Sequence, residues 1–339
     1  MKFAIVGMGV IGRIHAHVIR ELQDAQLAAV VDYDAGRAEK AAEEFCCQGT
    51  TELSDVLKRP DIDAVSICVP SGLHSQVAEQ AAKAGKHVLL EKPIEVTLEA
   101  ADRMIETCAK HGVQLGVIFQ HRFDTAVQAL KQTVQDGALG TIHFAASRTC
   151  WYRDPQYYKG SWRGTLKLDG GGALINQSIH YIDLLQYIAG EVEWVCGKVD
   201  TLRHRSIEGE DIGCALLRFK NGAIGTIEGT TLAYGDKTTE LNIFGEKGSV
   251  RIENDRTKFF AFQGDLPSLY QNSTEDTETL IREDVNIIPH KRQYQDFCAA
   301  IAQNRTPLVD GQEARKSLAI IQAIYQSSKT GDWVSLASL

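Results

Sequence analysis

The sequence predicts an α/β protein in two parts: an N-terminal Rossmann domain, a doubly wound parallel sheet, and a C-terminal α/β domain with a large, mostly antiparallel open sheet. Three observations carry that expectation. From Met1 to about Phe119, short β-rich runs with little polar alternation take turns with amphipathic helical stretches, as a parallel sheet covered on both faces requires. A glycine-rich turn sits directly behind the first of those runs. After roughly Asp124, alternating segments follow one another with turn signals and no helices between them, which favours antiparallel pairing.

In order, the first part reads as the strand FAIV, a helix to about Leu22, the strand LAAVVD, a helix rich in Ala and Glu, AVSICVP, a helix, HVLLEKP, another helix and QLGVIF. Strands and helices in strict alternation build a doubly wound sheet. The second part opens with a helix over about 125–136, then GTIHFAASRTCWY, a loop rich in aromatic and basic residues, and a helix expected over about 172–189. VEWVCGKVDT, GCALLRF, AIGTIEGTTL, TTELNIFG and GSVRIE follow as strands, with turns at Asn221-Gly222 and Glu246-Lys247-Gly248. The polar, acidic stretch over about 264–286 reads as a surface loop, and two helices, about 289–303 and 311–330, close the chain.

A length of 339 residues favours two domains over one. The net charge of -8 is spread along the chain without a basic run, which argues against nucleic acid or an anionic membrane as partner and leaves small molecules. The eight cysteines (Cys46, Cys47, Cys68, Cys108, Cys150, Cys196, Cys214 and Cys298) form no CxxC pair and no zinc-finger spacing. They read as small buried hydrophobes in a reducing cytosol, and no metal is expected. Gly7, Gly9, Gly12 and Arg13 interrupt the N-terminal apolar run before a signal core can form, and no segment approaches the roughly 20 apolar residues of a membrane span.

Gly7-Met8-Gly9-Val10-Ile11-Gly12 lies between the first strand and the first helix, the context in which each glycine has a physical task. Gly7 permits the tight turn, Gly9 leaves room for a pyrophosphate, and Gly12 lets helix and strand pack closely. The helix start, at Val10 and Ile11, offers free N–H groups and a partial positive charge to the phosphates. Asp32 falls 20 residues after Gly12 at the end of the second strand. A carboxylate there accepts from adenine-ribose hydroxyls and repels a 2′-phosphate, which predicts NAD in preference to NADP, although Arg37 nearby leaves room for NADP. Two more strand ends, Val69-Pro70-Ser71-Gly72-Leu73-His74 and Glu91-Lys92-Pro93, point at the same crevice. Pro70, His74, Glu91 and Lys92 are therefore expected beside the cofactor, where Lys92 can hydrogen-bond the reacting oxygen or, with its pKa lowered by burial, act as a proton donor.

Together with the segment GGGALINQSIHYID, these motifs make the chain resemble the glucose-fructose oxidoreductase / inositol dehydrogenase (Gfo/Idh/MocA) family over nearly its whole length. The resemblance implies a dinucleotide-binding domain, set at residues 1–121, and a substrate-binding and oligomerisation domain over 122–339. It also implies NAD-dependent oxidation or reduction of sugars, inositols or their derivatives, in a homodimer or homotetramer joined through the second sheet. The family's EKP lysine falls on Lys92. Its C-terminal signature has Asp followed four residues later by His; here His180 matches and Asn176 replaces the Asp. Asn can orient a hydroxyl but cannot take a proton, so His180 is the expected base, with Lys92 polarising the same oxygen. Gln120, Arg122, Tyr158, Trp162, Arg163 and Gln177 are expected to line the substrate site, and Asp183 to orient His180. Arg148, Arg153 and Arg163 raise the option of an anionic substrate such as a uronate or nucleotide sugar. Two other readings of the fold stay open at this point: a non-catalytic redox sensor, and an enzyme whose retained NAD cycles in place.

Overall fold

A computed structural model describes residues 1–264, 267, 281–282 and 285–339. They gather into two compact units, one of residues 1–120 and 279–315, the other of 121–278 and 316–339. The surface loop expected over 264–286 lies for its greater part outside the described residues. Among the described residues no helix is long and apolar enough to cross a membrane.

The first unit is built on six parallel strands, β1 (Lys2–Val6), β2 (Gln26–Val31), β3 (Gln48–Thr50), β4 (Ala64–Ile67), β5 (His87–Leu90) and β6 (Leu115–Val117), in the order β3-β2-β1-β4-β5-β6. Order reverses between β1 and β4, which is where ligands of such sheets bind. All four residues of β4 are buried, so the strand has no polar face to alternate. The helices α1 (Val10–Arg20), α2 (Ala35–Phe45), α3 (Leu53–Leu57), α4 (His74–Lys83) and α5 (Leu98–Lys110) connect the strands. Asp34 caps α2 through the Arg37 amide and Thr97 caps α5 through the Ala100 amide. Late in the chain, helix α8 (Ile288–Ala302) packs here too: the rings of Tyr294 and Phe297 lie 5.4 and 6.5 Å from that of Phe3. Burial of those three aromatics in one cluster holds α8 in the first unit.

The second unit holds eight strands: β7 (Ile142–Tyr152), β8 (Val192–Asp200), β9 (Ile212–Phe219), β10 (Ile224–Thr230), β11 (Leu232–Gly245), β12 (Gly248–Glu253), β13 (Arg256–Phe262) and β16 (Val334–Ser335). Their order is β13-β12-β11-β7-β10-β9-β8-β16, and every neighbouring pair is antiparallel except β7 with β10. The short strands β14 (Ile281–Arg282) and β15 (Val285–Asn286) pair only with each other. β3, β13 and β16 carry weak patterns and were not expected from the sequence. α6 (Thr125–Gln135) and α7 (Ile179–Ala189) pack on this unit, while α9 (Gly311–Thr330) starts in the first unit and ends in the second.

Strand alternation gives the second sheet two chemically distinct faces. Ala145, Leu217, Ile227, Ile243 and Val250 are buried on one. Trp194, Leu216, Ile224, Phe244 and Phe259 are exposed on the other, where the register also sets Arg148, Glu228 and Glu240.

The helix expected over 172–189 proves to be two structures: a π-helical stretch, Ala173–Ser178, that runs into α7. The buried Glu210 carboxylate accepts from the amides of Gly172 (2.9 Å) and Leu174 (2.7 Å) and from Tyr325 Oη (3.0 Å), and the Ser178 hydroxyl donates to the Ala173 carbonyl (2.9 Å). Those bonds hold the wide turn open, a geometry that spacing in the sequence does not announce.

Arg122 and Asp183 correct an expectation. Both are fully buried, joined by a two-pronged contact with Nε and Nη2 each 2.7 Å from a carboxylate oxygen, and the guanidinium lies 4.3 Å from the centre of the Tyr187 ring. Arg122 therefore has no face left for a substrate, and both oxygens of the Asp183 carboxylate accept from it. Removing one member of such a pair strands a charge, so Arg122→Met should cost about 3–5 kcal/mol in urea unfolding, while Arg122→Met with Asp183→Leu should recover most of the loss. Equal stability of the single and double variants would show that the pair is not acting as a unit.

Candidate active site

The glycine loop has the geometry its spacing predicts. Gly7 sits at φ +96°, and a Cβ there would meet the Cys68 carbonyl oxygen at 2.6 Å; one at Gly12 would lie 2.0 Å from the Gly7 oxygen. Both positions exclude any side chain. A Cβ at Gly9 would meet nothing within 4 Å, so this side of the loop, at the N-terminus of α1, is open to the approach of a pyrophosphate. Val10 and Ile11 form the first turn of α1, and Val10 is 72% exposed.

Asp32 directly follows β2, with its carboxylate buried. Oδ2 accepts from the Met8 amide at 2.8 Å; Oδ1 accepts from the Asp34 amide at 2.9 Å and lies 3.0 Å from Arg37 Nη2. The same carboxylate that can take ribose hydroxyls thus also fixes the glycine loop, and Oδ2, which faces a single donor, keeps lone-pair capacity. Arg37 is held over the Tyr33 ring at 4.7 Å. Cradle and carboxylate together fit a dinucleotide.

Beneath the end of β5 lies a buried polar network the sequence reading did not foresee. Glu91 Oε1 is 2.9 Å from His15 Nε2, and Glu91 Oε2 accepts from the Lys92 amide at 3.2 Å. His15 Nδ1 faces Ser66 Oγ at 2.8 Å and Tyr294 Oη at 3.0 Å, with Ser66 and Tyr294 also bonded at 2.7 Å. Burial alone pushes the imidazole down, but the Cys68 sulfur and the Glu91 carboxylate outweigh it and hold His15 at about 10. Burial likewise opposes the charge on Glu91, and His15 overcomes it and lowers the carboxyl. Glu91 therefore faces inward and shapes the turn that carries Lys92. His74 is another internal tie: its ring nitrogens lie 2.9 Å from the Pro93 carbonyl and 3.1 Å from that of Val69, and burial lowers its pKa. Pro70 precedes the short 3-10 turn Ser71–Leu73, and Lys92, half-buried, precedes a cis proline.

In the second unit, His180 starts the second residue of α7 and its ring meets that of His121 edge-on, with centroids 5.0 Å apart. His121 Nδ1 lies 2.7 Å from Asp124 and 3.1 Å from Asp255, which the tight turn Asn254-Asp255 (φ +48° and +65°) delivers from between β12 and β13. Burial disfavours the charge on His121, yet Asp255 and Asp124 raise it well above the ordinary histidine value. Tyr181 Oη donates to Asp255 at 2.9 Å. A ring clamped by Asp124 and Asp255 and held charged thus borders His180.

Asn176 lies in the π-helical stretch, where a simple four-residue repeat does not apply, and its amide donates to the buried Asp169 at 2.6 Å. Gln177 donates to Tyr157 Oη at 3.4 Å and to Asn176 Oδ1 at 3.2 Å. Trp162 is half-buried beneath the Arg163 guanidinium, 5.6 Å away. Tyr158 is buried, with its hydroxyl on Thr231 and its ring against His204, so its neighbour Tyr157 is the tyrosine beside Gln177. Gln120 ends the first unit at the start of a 3-10 turn. Arg148 lies on the opposite sheet face, 3.4 Å from Glu228 and 3.5 Å from Glu240. Asp169, His121 and Tyr157 were missed; a chemical residue directly before Gly170-Gly171-Gly172, or beside Gln120 and Arg122, was the available signal.

Fold and loop define a two-domain oxidoreductase with an NAD-binding first domain. The family model for the oxidoreductases with an NAD-binding Rossmann fold matches residues 1–119, and that for the GFO/IDH/MocA C-terminal domain matches 127–251. The chain belongs to the Gfo/Idh/MocA family. It is 31% identical to the Bacillus subtilis oxidoreductase YrbE, over 98% of this chain and 95% of that protein, and 32% identical to the myo-inositol 2-dehydrogenase of Thermotoga maritima, over 80% and 81%. The WlbA dehydrogenase of Bordetella pertussis, solved with NADH and UDP-GlcNAcA, superposes with a TM-score of 0.89 at 33% identity, covering 99% of this chain and 97% of that one.

Two predictions follow from this geometry. Asp32→Ser, with Arg37 retained, should raise the kcat/KM ratio of NADP to NAD by about tenfold or more, because a carboxylate repels a 2′-phosphate and an arginine pairs with it; an unchanged ratio would remove Asp32 from cofactor choice. Because folding raises His15 from 6.5 to about 10, its contribution is complete below pH 6.5 and is lost as pH climbs toward 10. Glu91, lowered from 4.5, contributes above that value and loses its contribution in acid. Urea unfolding should therefore show wild-type stability declining between pH 6.5 and 10 more steeply than in the His15→Gln, Glu91→Gln double variant, and parallel curves would contradict the buried ion pair.

Proposed function

We propose that this chain is an NAD-dependent dehydrogenase that moves a hydride between NAD and a secondary alcohol or ketone carbon of a sugar, an inositol or a sugar derivative. The observation that carries the reading is the open face over Gly9 at the start of α1, with a strand-end carboxylate beside it. The inositol dehydrogenase relative and the NADH-bound WlbA structure support the sugar and the cofactor halves of it. When bound, NAD supplies the hydride chemistry at its nicotinamide.

The chain's own residues do the rest. Lys92, carried on the turn that Glu91 anchors, hydrogen-bonds the reacting oxygen and favours negative charge developing there. His180 removes the hydroxyl proton in oxidation and returns it in reduction. Asn176, its amide set by Asp169, orients that hydroxyl. Gln120, Trp162 and Gln177 supply lining. The eight unpaired cysteines suit a reducing compartment, the cytosol.

Lys92→Ala and His180→Ala should each lower kcat by well over about tenfold, since positioned proton transfer contributes about 10²–10⁴-fold, with NAD affinity measured by fluorescence nearly unchanged. A residue whose replacement leaves kcat intact has no part in the chemistry.

We also propose self-association through the open face of the eight-stranded sheet, supported by the apolar residues Trp194, Leu216, Ile224, Phe244 and Phe259 that reach solvent there. Light scattering should give a mass above the 37.3 kDa of one chain, and Leu216→Glu with Ile224→Glu should reduce it to that value. A monomeric wild type would end this proposal.

A further inference from the structure

Strand alternation on β7 divides its arginines. Arg148 points to the sheet face where Glu228 and Glu240 neutralise it. Trp151 has the opposite parity, and Arg153, just past the strand end, stacks back over it at 4.9 Å and over Tyr157 at 4.6 Å. Arg163 reaches Tyr157 from the following loop, 4.7 Å from the ring centre, and lies 5.6 Å from that of Trp162. Two guanidiniums therefore share one tyrosine.

Neither is neutralised by a carboxylate among the described residues. Arg163 gives one bond to Ser161 Oγ at 3.3 Å; Arg153 Nε is buried with no acceptor from the protein. The nearby acids are committed: Asp169 to the Gly164 amide (2.7 Å) and Asn176 (2.6 Å), Asp154 to the Gln156 amide (2.9 Å). Gln177, 4% exposed, donates to Tyr157 Oη and Asn176, but its Oε1 is buried without a donor. Buried donors and acceptors left without partners cost free energy, and so do adjacent like charges. Aromatic stacking fixes where the guanidiniums sit but accepts none of their hydrogen bonds. An anion with two or three oxygens supplies what both arginines lack, and a hydroxyl supplies what Gln177 lacks.

We propose that Arg153 and Arg163 form the anion grip of the substrate site, so that the substrate is a sugar derivative carrying a carboxylate or a phosphate, with one hydroxyl donated to Gln177 Oε1. The assignment to a substrate rests on the dehydrogenase reading above; the anion grip itself does not. It also separates Arg148 from the other two arginines, which the sequence left as one group.

The test compares glucose, glucuronate, glucose 6-phosphate and UDP-glucose, each with NAD, on wild type and on Arg153→Gln and Arg163→Gln. One or more of the anionic compounds should exceed glucose in kcat/KM by about tenfold or more, the scale of a charge-assisted bond. Each variant should cut that preference by a similar factor through KM. Glucuronate alone preferred assigns a carboxylate; glucose 6-phosphate or UDP-glucose preferred assigns a phosphate. Equal use of neutral and anionic compounds, or a preference untouched by both variants, overturns the proposal. If NAD binds but nothing in the panel reacts, the dehydrogenase reading is what fails for these sugars, and calorimetric titration of the three anions still decides the grip. Saturable binding weakened about tenfold in both variants supports it, and no saturable binding to wild type, or equal binding to all three proteins, overturns it.

Discussion

A single buried ion pair, His15 with Glu91, ties together the parts of the first unit on which chemistry depends. His15 lies on the helix that the glycine loop launches; Glu91 ends the strand whose next residue is Lys92. Two groups moved out of water this completely are tolerable only because each satisfies the other and the remaining lone pairs find Ser66, Tyr294 and the Lys92 amide. The loop that would cradle phosphates and the turn that presents an amine thus share one internal brace. Asp32 adds a second, since its carboxylate holds the Met8 amide inside that loop. Both are supports a rigid cofactor site needs: side chains whose internal hydrogen bonds fix the backbone that would meet the ligand.

The second unit, which we propose presents side chains to a small polar molecule, is built on a sheet and one interrupted helix. The π-helical stretch is central. It leaves Asn176 and Gln177 on a widened turn whose start is pinned by Glu210 and Tyr325. That carboxylate, pushed up to about 7 by burial in spite of its hydrogen bonds, occupies the place a capping residue takes at an ordinary helix start. His180 follows where the regular helix resumes, against a His121 ring that two carboxylates keep charged and in place. Orientation, more than proximity alone, is what such clamps provide.

Much of the fold was legible in the sequence, for a physical reason. Parallel strands buried on both faces must be apolar throughout, so FAIV and AVSICV announce themselves, and Gly7 and Gly12 are demanded by backbone contacts that no side chain survives. Short edge strands such as β3 and β16 carry too few residues to show a period. The parallel pairing of β7 with β10 is equally silent, because alternation reports which face a residue takes and nothing of the neighbouring strand's direction.

The residues around the site divide along the same line. Motif positions such as Asp32 and Lys92 sit at strand ends, and strand ends can be counted. Arg122, Glu91 and His74 looked like site residues because they are polar and adjacent to motifs, yet each is turned inward to balance a partner far away in sequence: Asp183, His15, and the carbonyls of Pro93 and Val69. Polarity beside a motif marks a buried group that must be satisfied as readily as one offered to a ligand. What separates the two is whether the protein completes the group's hydrogen bonds and charge, and that depends on partners brought in from elsewhere in the chain. By that criterion Arg122 is complete and Arg153 is not, although the sequence offers both as candidate substrate contacts.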